Sequence, residues 1–350
     1  MLISGRSSKH KILSLILILL FGESCTPKSA PVNLNKYSES RPLLGTIVKV
    51  DICYREPQKE KIEVAFQKVW ERIEDIHWRM SVFDEKSDVM RVNNSYPQAV
   101  TVGEDTDQLI RDSLFYSKVT LGVFDITVYP LIKLWKDGEQ KKMIPSPAEI
   151  QAVKKVLGGK NIELLPNHRV RLLNQGTKID LNSIAEEYAA DEAGRILKEH
   201  GFNDFLVDAG GDLMAGGFNC EGTSWRIGIR DPQNPSQFID VVEVSDMAVT
   251  TSGHYEHYYE INGQKWSHII NPISGYPQME VASATVIAPT AKVSDVLSTV
   301  LCILSPEKGT SLIDSLGEGY ASIVLTPGLD GQLLKYTSRD YKRYKSNRDP

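Results

Sequence analysis

The sequence predicts an α+β fold in which mixed β-sheets pack with helices. Strand-like and helix-like segments alternate along the 350 residues without a regular β-α-β period, which argues against a doubly wound parallel sheet. The sequence contains neither GxGxxG nor GxxxxGK(S/T). With 41% hydrophobic and 24% charged residues it has an ordinary globular composition, and its length allows one large domain or two.

The N-terminal region predicts export and a membrane anchor. Basic residues precede the apolar run 12–21, which is shorter than the roughly 20 residues that a bilayer-spanning helix needs. Ser24-Cys25 resembles the cleavage site of bacterial lipoproteins, whose cysteine becomes the lipidated first residue. We therefore expect a signal peptide over 1–24, a polar tether over 25–40, and a membrane-anchored lipoprotein that faces the periplasm or the cell exterior.

The remaining cysteines and the charge balance narrow the class of protein further. Cys53, Cys220 and Cys302 are odd in number and form no CxxC pair, so we interpret them as core or surface thiols rather than a disulfide framework or a zinc site. A net charge of −5 gives no basic field that would favour nucleic acid. The basic C-terminal stretch, residues 335–348, is interpreted as a solvated tail in preference to a lipid-headgroup patch.

Hydrophobic periodicity, capping residues and turn residues predict the order of the elements. Helices are predicted over 64–80, 106–119, 145–156, 184–199 and 290–304, with a short capped turn over 87–93. Strands are predicted over 43–52, 170–173, 177–181, 225–230, 240–244, 248–251 and 282–288, and over 205–212, which runs into a Gly-Gly turn.

The clearest local prediction is a β-hairpin that leads to one histidine. Runs 256–261 and 264–270 are rich in aromatic and β-branched residues and flank Asn262-Gly263, a strong hairpin signal. Asn271-Pro272 then ends the ladder, because proline has no N–H. His268 is thus held before a rigid turn, where it is a candidate proton acceptor near neutral pH. The alternative is a strand histidine whose hydrogen bonds a neighbour satisfies.

Three further features have both structural and functional interpretations. Gly210-Gly211 permits close approach of the backbone to a phosphate or sugar, or else forms a β-bulge. Asp125, close to a threonine, is a candidate site residue or simply a helix cap. Asp295 and Thr299 lie one turn apart on the same face of the helix predicted over 290–304.

Eight segments of this chain, taken together, resemble a known family, the FAD:protein FMN transferases or ApbE proteins. They run in the family's order and spacing along nearly the whole predicted mature chain: LLGT, MSVFDEKSDVMRVN, FDITVYPLIKLW, IDLNSIAEEYAAD, VDAGGDLMAGG, TTSGHYEHYY, SHIINPISG and SATVIAPTAKVSDVLSTV. The resemblance implies an ApbE-like, T-fold-related architecture. It also implies that residues 41–350 form a single FMN transferase domain.

The resemblance also implies a reaction and roles for particular residues. In that family a threonine hydroxyl of a target protein attacks the pyrophosphate of FAD with the help of Mg²⁺, so that FMN is joined to the protein and AMP is released. His268 matches the catalytic histidine, and Asp295, Thr299 and Ser183 match the metal ligands. Contacts with FAD are implied at Leu44, Phe83, Val123, Phe124, Asp125, Asp180, Glu186 and Ile270. The implied acceptors are flavoprotein subunits of the RnfG or NqrC type.

This sequence departs from the family's pattern at several positions. Ser298 stands where some members have a second acid, Asn271 replaces an aspartate, Leu44 replaces a methionine, and Glu186-Glu187 stands where many members have Lys-Gly. Because the first two changes remove negative charge near the cation, we expect weaker metal affinity rather than loss of chemistry. Two alternatives stay open: a lipid-anchored flavin-binding or solute-binding protein without transferase activity, and an FAD pyrophosphatase in which water replaces the threonine.

Overall fold

The computed structural model describes residues 34–254 and 257–348, and the elements within these ranges are numbered in chain order. The helices are α1 Lys59–Met80, α2 Asp88–Asn93, α3 Glu104–Val119, α4 Tyr129–Lys141, α5 Pro147–Lys154, α6 Asn182–Glu199, α7 Ala291–Ile303 and α8 Pro306–Leu316. The strands are β1 Asn35–Leu43, β2 Thr46–Tyr54, β3 Val100–Thr101, β4 Ile162–Leu165, β5 Arg169–Leu172, β6 Asp204–Ala209, β7 Asp212–Gly216, β8 Trp225–Asp231, β9 Asn234–Val244, β10 Met247–Gly253, β11 Tyr258–Ile261, β12 Gln264–Ser267, β13 Ser283–Ala288, β14 Ala321–Pro327 and β15 Leu333–Thr337.

One eight-stranded antiparallel sheet organises the fold. Its strand order is β1-β2-β6-β7-β10-β13-β14-β15, and every neighbouring pair runs antiparallel. Smaller antiparallel sheets are formed by β8 with β9, by β11 with β12, and by β3, β5 and β4. The sheets contain no parallel strand pairs among the described residues, so no helix forms a crossover between parallel strands. The predicted α+β class is therefore confirmed.

Alternate residues of the large sheet serve two cores, because successive side chains of a strand point to opposite faces. On β10, Ala248 belongs to the core that the sheet forms with α1, α6 and α7, whereas Val249 belongs to the core formed with Trp225 of β8. The same alternation separates Ile52 from Cys53 on β2. The sheet consequently lies between a helical layer and the β8–β9 hairpin.

Helix α6 occupies the centre of the helical layer and packs against both α1 and α7. It lies close to strand β6, since a Cβ placed on Gly194 would come within 2.8 Å of the Phe205 ring. The Asp191 carboxylate of α6 accepts hydrogen bonds from the backbone N–H groups of Ala291 at 2.7 Å and Lys292 at 3.1 Å. This cap joins α6 to the first turn of α7 and fixes the two helices that carry Glu187 and Asp295.

The interpretation of all three cysteines as thiols is wrong for two of them. Cys53 on β2 and Cys220 after β7 form a disulfide with a Cα–Cα distance of 5.1 Å across a sequence separation of 167 residues. The long separation hides the pair in the sequence, and the sheet order brings it together because β6 lies between β2 and β7. Cys302 on α7 is a buried free thiol.

Both ends of the predicted domain are more ordered than the sequence indicated. The tether predicted to reach residue 40 overlaps β1, whose register pairs Asn35 with Tyr54. Strand β1 is as polar in composition as a linker, because β1 is an edge strand of the large sheet and about half of its side chains face water. The predicted solvated tail instead packs on β9, where the Tyr341 hydroxyl donates to Asp240 at 3.1 Å and Lys345 pairs with the same carboxylate at 3.2 Å.

The strand predicted over 177–181 is also wrong. Ile179 forms both of its backbone hydrogen bonds with the side chain of buried Asn93, at 2.7 and 2.8 Å. A side-chain amide therefore takes the place of a neighbouring strand. Neighbouring Asp180 donates its N–H to the Ile126 carbonyl at 2.8 Å.

The predicted signal peptide, the lipidated Cys25 and most of the predicted tether lie outside the described residues. Among the helices that are described, none combines the length and the apolar character that crossing a membrane requires. Export and anchoring stay predictions.

Candidate active site

Three adjoining cavities lie where the N-terminal end of α6 meets α7 and the large sheet. The main cavity has a volume of about 500 Å³ and shares residues with neighbours of about 210 and 140 Å³. Its walls come from the β1–β2 turn, the first turns of α6, the β6–β7 turn, the end of β10, the segment after β12, and α7. The volume of the main cavity is typical of a small-molecule site.

The Gly-Gly turn noted in the sequence connects β6 to β7 and forms part of the cavity wall. Gly210 and Gly211 have φ values of +69° and +107°, which only glycine adopts readily. A Cβ on Gly210 would lie 2.6 Å from the Thr46 hydroxyl of β2. The turn therefore needs glycine for its own geometry, and it also places Gly210 and the following Asp212 at the cavity.

Two helix faces and one strand bring three carboxylates together. Glu187 of α6, Asp212 of β7 and Asp295 of α7 each offer a carboxylate oxygen, and these atoms lie within 4.8 Å of one another. Burial and the negative charges of neighbouring acids, Asp212 among them, raise the pKa of both Glu187 and Asp295 well above the usual range. Burial, followed by the charges of Asp212 and Asp180, raises the pKa of Glu186 to about 7.

These residues fit a hard divalent cation. Carboxylate and hydroxyl oxygens are the ligands that Mg²⁺ prefers, and the hydroxyls of Ser183 and Thr299 line the same cavity as the three acids. The family resemblance implied Asp295, Thr299 and Ser183 as metal ligands and did not point to Glu187 or Asp212. The available signals were the Glu186-Glu187 departure and the position of Asp212 directly after Gly-Gly.

The histidine-bearing hairpin forms as predicted, although its second strand is shorter. Asn262 and Gly263 have φ values of +54° and +76°, as a two-residue type I′ turn requires. Strand β12 ends at Ser267, whose hydroxyl accepts the N–H of Ile269 at 3.0 Å, and the N–H of His268 makes the last cross-strand bond, to the carbonyl of His257 at 3.3 Å. Of the first run, Glu256 lies outside the described residues.

Hydrogen bonding fixes the tautomer of His268. Its Nδ1 lies 2.9 Å from the carbonyl oxygen of His257, and since a carbonyl only accepts, Nδ1 carries the proton. The Nε2 atom is then left as an acceptor. The ring is open to the cavity, but the surrounding walls reduce its hydration and, with the nearby His257 and His254, lower its pKa. His268 is therefore neutral at pH 7 and able to accept a proton.

The turn after His268 is built by Asn271. Its side-chain oxygen accepts the N–H of Ile273 at 2.9 Å, and its carbonyl accepts the N–H of Gly275 at 2.7 Å. The amide thus stabilises its own loop. Ser298, the other position expected to lack a negative charge, is buried and bonds to the Ser252 hydroxyl at 2.7 Å. The effect of both residues on metal affinity stays a prediction.

The smaller cavities contain most of the predicted FAD contacts. Val123, Phe124, Asp125 and Ile270 line the 140 Å³ cavity, which also includes His268 and Thr299. Leu44, Phe83 and Glu186 line the 210 Å³ cavity, and Phe83 is 84% exposed and therefore free to stack on a ligand.

Asp125 and Asp180 both have local structural roles at the cavity walls. Asp125 caps the short 3₁₀ helix Ile126–Val128 by accepting the N–H and hydroxyl of Thr127 at 2.8 and 2.6 Å. Asp180, in the main cavity, accepts the N–H of Asn182 at 2.9 Å at the start of α6. Burial raises the pKa of both carboxyls. The structure thus brings all twelve predicted site residues to the three cavities, while their individual roles stay predictions.

Comparison with known proteins identifies the family. The ApbE family model matches residues 44–324. A curated FAD:protein FMN transferase of Escherichia coli (strain K12) is 34% identical over 255 residues, 71% of this chain and 72% of the relative. Another, of Klebsiella pneumoniae (strain 342), is 30% identical over 316 residues, covering 88% and 89% of the two chains. The crystal structure of the ApbE protein of Thermotoga maritima has a TM-score of 0.79 at 30% identity, covering 89% of this chain and all of that one.

This chain belongs to the ApbE family. The match to the family model covers most of the chain, and the resemblance inferred from the eight sequence segments is confirmed. The similarity to the Thermotoga maritima structure also confirms the predicted architecture.

Proposed function

We propose that this enzyme transfers FMN from FAD to the hydroxyl group of a threonine in a target protein, with Mg²⁺ as cofactor and AMP as the second product. The predicted enzyme class is confirmed, since the curated relatives are named FAD:protein FMN transferase. One observation carries the finer proposal. The acceptor nitrogen of His268 and the carboxylates of Glu187, Asp212 and Asp295 line the same cavity.

His268 supplies the base that the acceptor threonine needs. A hydroxyl is a weak nucleophile until its proton is removed, and a neutral histidine with a free Nε2 can remove it. As the threonine oxygen bonds to the phosphorus that bears FMN, the proton passes to Nε2. The bond from that phosphorus to the bridging oxygen breaks, and this oxygen leaves with AMP.

The acidic side of the cavity supports the proposal of a metal cofactor. Asp295 and Thr299 of α7, with Ser183 of α6, are the residues that would hold Mg²⁺. When bound there, the cation neutralises negative charge on the diphosphate. Ser183, Thr299 and His268 all line both the main cavity and the 140 Å³ cavity, so a diphosphate held by the first two residues would lie on the same side as the proposed base.

Export and a membrane anchor form part of the proposal. Disulfides form and persist mainly in oxidising compartments, so the Cys53–Cys220 bond supports a location outside the cytoplasm. We propose that lipid on Cys25 holds the enzyme at the membrane, facing the periplasm or the cell exterior. The acceptors proposed there are flavoprotein subunits of the RnfG or NqrC type.

The transfer reaction can be tested with purified components. The protein is incubated with FAD, Mg²⁺ and an RnfG- or NqrC-type acceptor, covalent FMN is measured by mass spectrometry, and AMP by chromatography. The matched control is the same acceptor with its threonine replaced by alanine. Equal amounts of AMP and FMN-bearing acceptor support the proposal. AMP with free FMN, independent of acceptor, would instead identify an FAD pyrophosphatase, and bound FAD without AMP a flavin-binding protein.

The anchor has a separate test. Mass spectrometry of the protein extracted from membranes is expected to find a diacylglyceryl cysteine, Cys25, as the first residue. An intact N-terminus, or a Cys25 without lipid, contradicts the proposed anchor and leaves the transfer reaction unaffected.

A further inference from the structure

Glu187 is a buried carboxylate with an unused oxygen. It lies one turn after Ser183 on the same face of α6, and only 4% of the residue is exposed to solvent. Its Oε2 atom has no hydrogen-bond partner within residues 34–254 and 257–348. A buried carboxylate oxygen without a hydrogen-bond partner is unfavourable, and Glu187 lies at the cavity, where a bound ligand would satisfy it.

The surroundings of this oxygen indicate the charge of that ligand. Asp212 and Asp295 place carboxylate oxygens within 4.8 Å of Glu187, and the three acids come from three different elements. Across the described residues, neither Glu187 nor Asp295 forms an ion pair with a lysine, arginine or histidine. Carboxylates at this separation repel one another unless a cation lies between them or a proton neutralises one of them.

We propose that Glu187, Asp212 and Asp295 hold one divalent cation in the enzyme before FAD binds, an inference that rests on the proposed Mg²⁺-dependent function. Magnesium in nucleotide sites is usually bound by one or two carboxylates and completed by substrate phosphates. Here the protein offers a third carboxylate, that of Glu187, whose oxygen takes a position on the cation that a diphosphate oxygen would otherwise occupy. Glu187 is thus a residue that determines the order in which cation and FAD bind.

Metal binding by the flavin-free protein tests this inference directly. After removal of flavin and metals, Mn²⁺ is titrated as a spectroscopic probe by electron paramagnetic resonance, followed by competition with Mg²⁺. The test variant is Glu187→Gln, which keeps the side-chain shape. Glu199→Gln is the matched control, because Glu199 lies on the same helix and is exposed.

We expect the wild-type protein and Glu199→Gln to bind one Mn²⁺ without FAD, and Glu187→Gln to bind it at least fivefold more weakly. Circular dichroism checks that Glu187→Gln folds, and Glu187→Asp, which retains the charge, is expected to bind more tightly than the glutamine variant. With FAD present the difference between wild type and Glu187→Gln should shrink, because phosphate oxygens then complete the site.

Two results would overturn the inference: wild-type protein that binds no Mn²⁺ until FAD is added, or a Glu187→Gln variant whose affinity falls by less than fivefold. Neither result touches the proposed function, since transfer in saturating Mg²⁺ is measured separately. Loss of transfer in the wild-type enzyme, with flavin-free Mn²⁺ binding intact, would instead contradict the function and leave the cation site in place.

Discussion

The Nδ1 atom of His268 lies 2.9 Å from the carbonyl oxygen of His257, and their imidazole rings meet edge-on with centroids 5.4 Å apart. The contact joins the residue just after β12 to the residue just before β11. It holds the ring with its acceptor nitrogen free, so the hairpin sets both the position of His268 and its tautomer.

Replacement of His268 by alanine should slow flavin transfer and leave FAD bound. General-base assistance is typically worth about 10²–10⁴-fold in rate, and the side chain contributes little to the core. Single-turnover transfer measures the rate, and flavin fluorescence measures binding. His200→Ala, at the far end of α6, serves as the control. If the His268→Ala rate stays within about threefold of wild type, another base performs the reaction.

The pH dependence of transfer should show a base with a lowered pKa. Reduced hydration and the nearby histidines lower the pKa of His268 below 6.5, and only the neutral ring accepts a proton. As pH falls, the midpoint of the decline in kcat/KM should therefore lie below pH 6.5. Glu186, with its pKa near 7, also lines the cavity, so the profile is repeated with Glu186→Gln. A decline whose midpoint lies above pH 6.5 in both proteins contradicts the assignment.

Replacement of Asp295 by alanine should abolish Mg²⁺-dependent transfer while some FAD binding remains. The substitution removes one of three converging carboxylates, whereas the predicted FAD contacts in the two smaller cavities are unchanged. Transfer is measured in chelator-treated buffer to which Mg²⁺ is restored. Asp314→Ala on α8, outside the cavities, is the control. Normal turnover of Asp295→Ala under these conditions would exclude Asp295 as a metal ligand.

Local chemistry in the sequence was sufficient for elements whose signals lie within a few residues. Asn262-Gly263 specifies its turn because both positions need positive φ, and helical spacing alone places Asp295 and Thr299 on one face. The pairing of Asp295 with Thr299 could therefore be predicted from a short-range pattern, whereas the role of Ser183 was implied only by the family resemblance.

Features that depend on sheet order could not be obtained in this way. The carboxylates of Glu187 and Asp212 approach each other only because α6 packs against β7 and α7. Likewise, Cys53 and Cys220 approach each other only after β2, β6 and β7 pair. Periodicity within a segment does not contain that information, because the pairing of strands that are distant in sequence is determined by the tertiary structure.

Loss of the Cys53–Cys220 bond should lower the free energy of unfolding by about 2–4 kcal/mol, since the bond restricts the unfolded chain. Urea unfolding of the Cys53→Ser/Cys220→Ser variant measures the loss, and a thiol reductant should weaken the wild-type protein to the same extent. The reductant should not weaken the double variant further, because Cys302 is a free thiol. Free thiols at Cys53 and Cys220 in the wild-type protein, purified without reductant, would contradict the bond.

Replacement of Asp191 by alanine should destabilise the protein and raise the Mg²⁺ concentration needed for transfer. The carboxylate accepts the N–H groups of Ala291 and Lys292, and loss of such a helix cap typically costs about 1–2 kcal/mol. Asp191→Asn keeps one acceptor oxygen, so its loss in urea unfolding should be smaller.

The two measurements separate stability from positioning. Because Asp191 fixes the first turn of α7 against α6, its removal lets Asp295 move relative to the acids on the neighbouring elements, which weakens cation binding without removing a ligand. Glu307→Ala, an exposed acid in the first turn of α8, is the matched control and should change neither quantity by much. An Asp191→Ala protein that is less stable but has an unchanged Mg²⁺ requirement would show that the cap supports the fold alone.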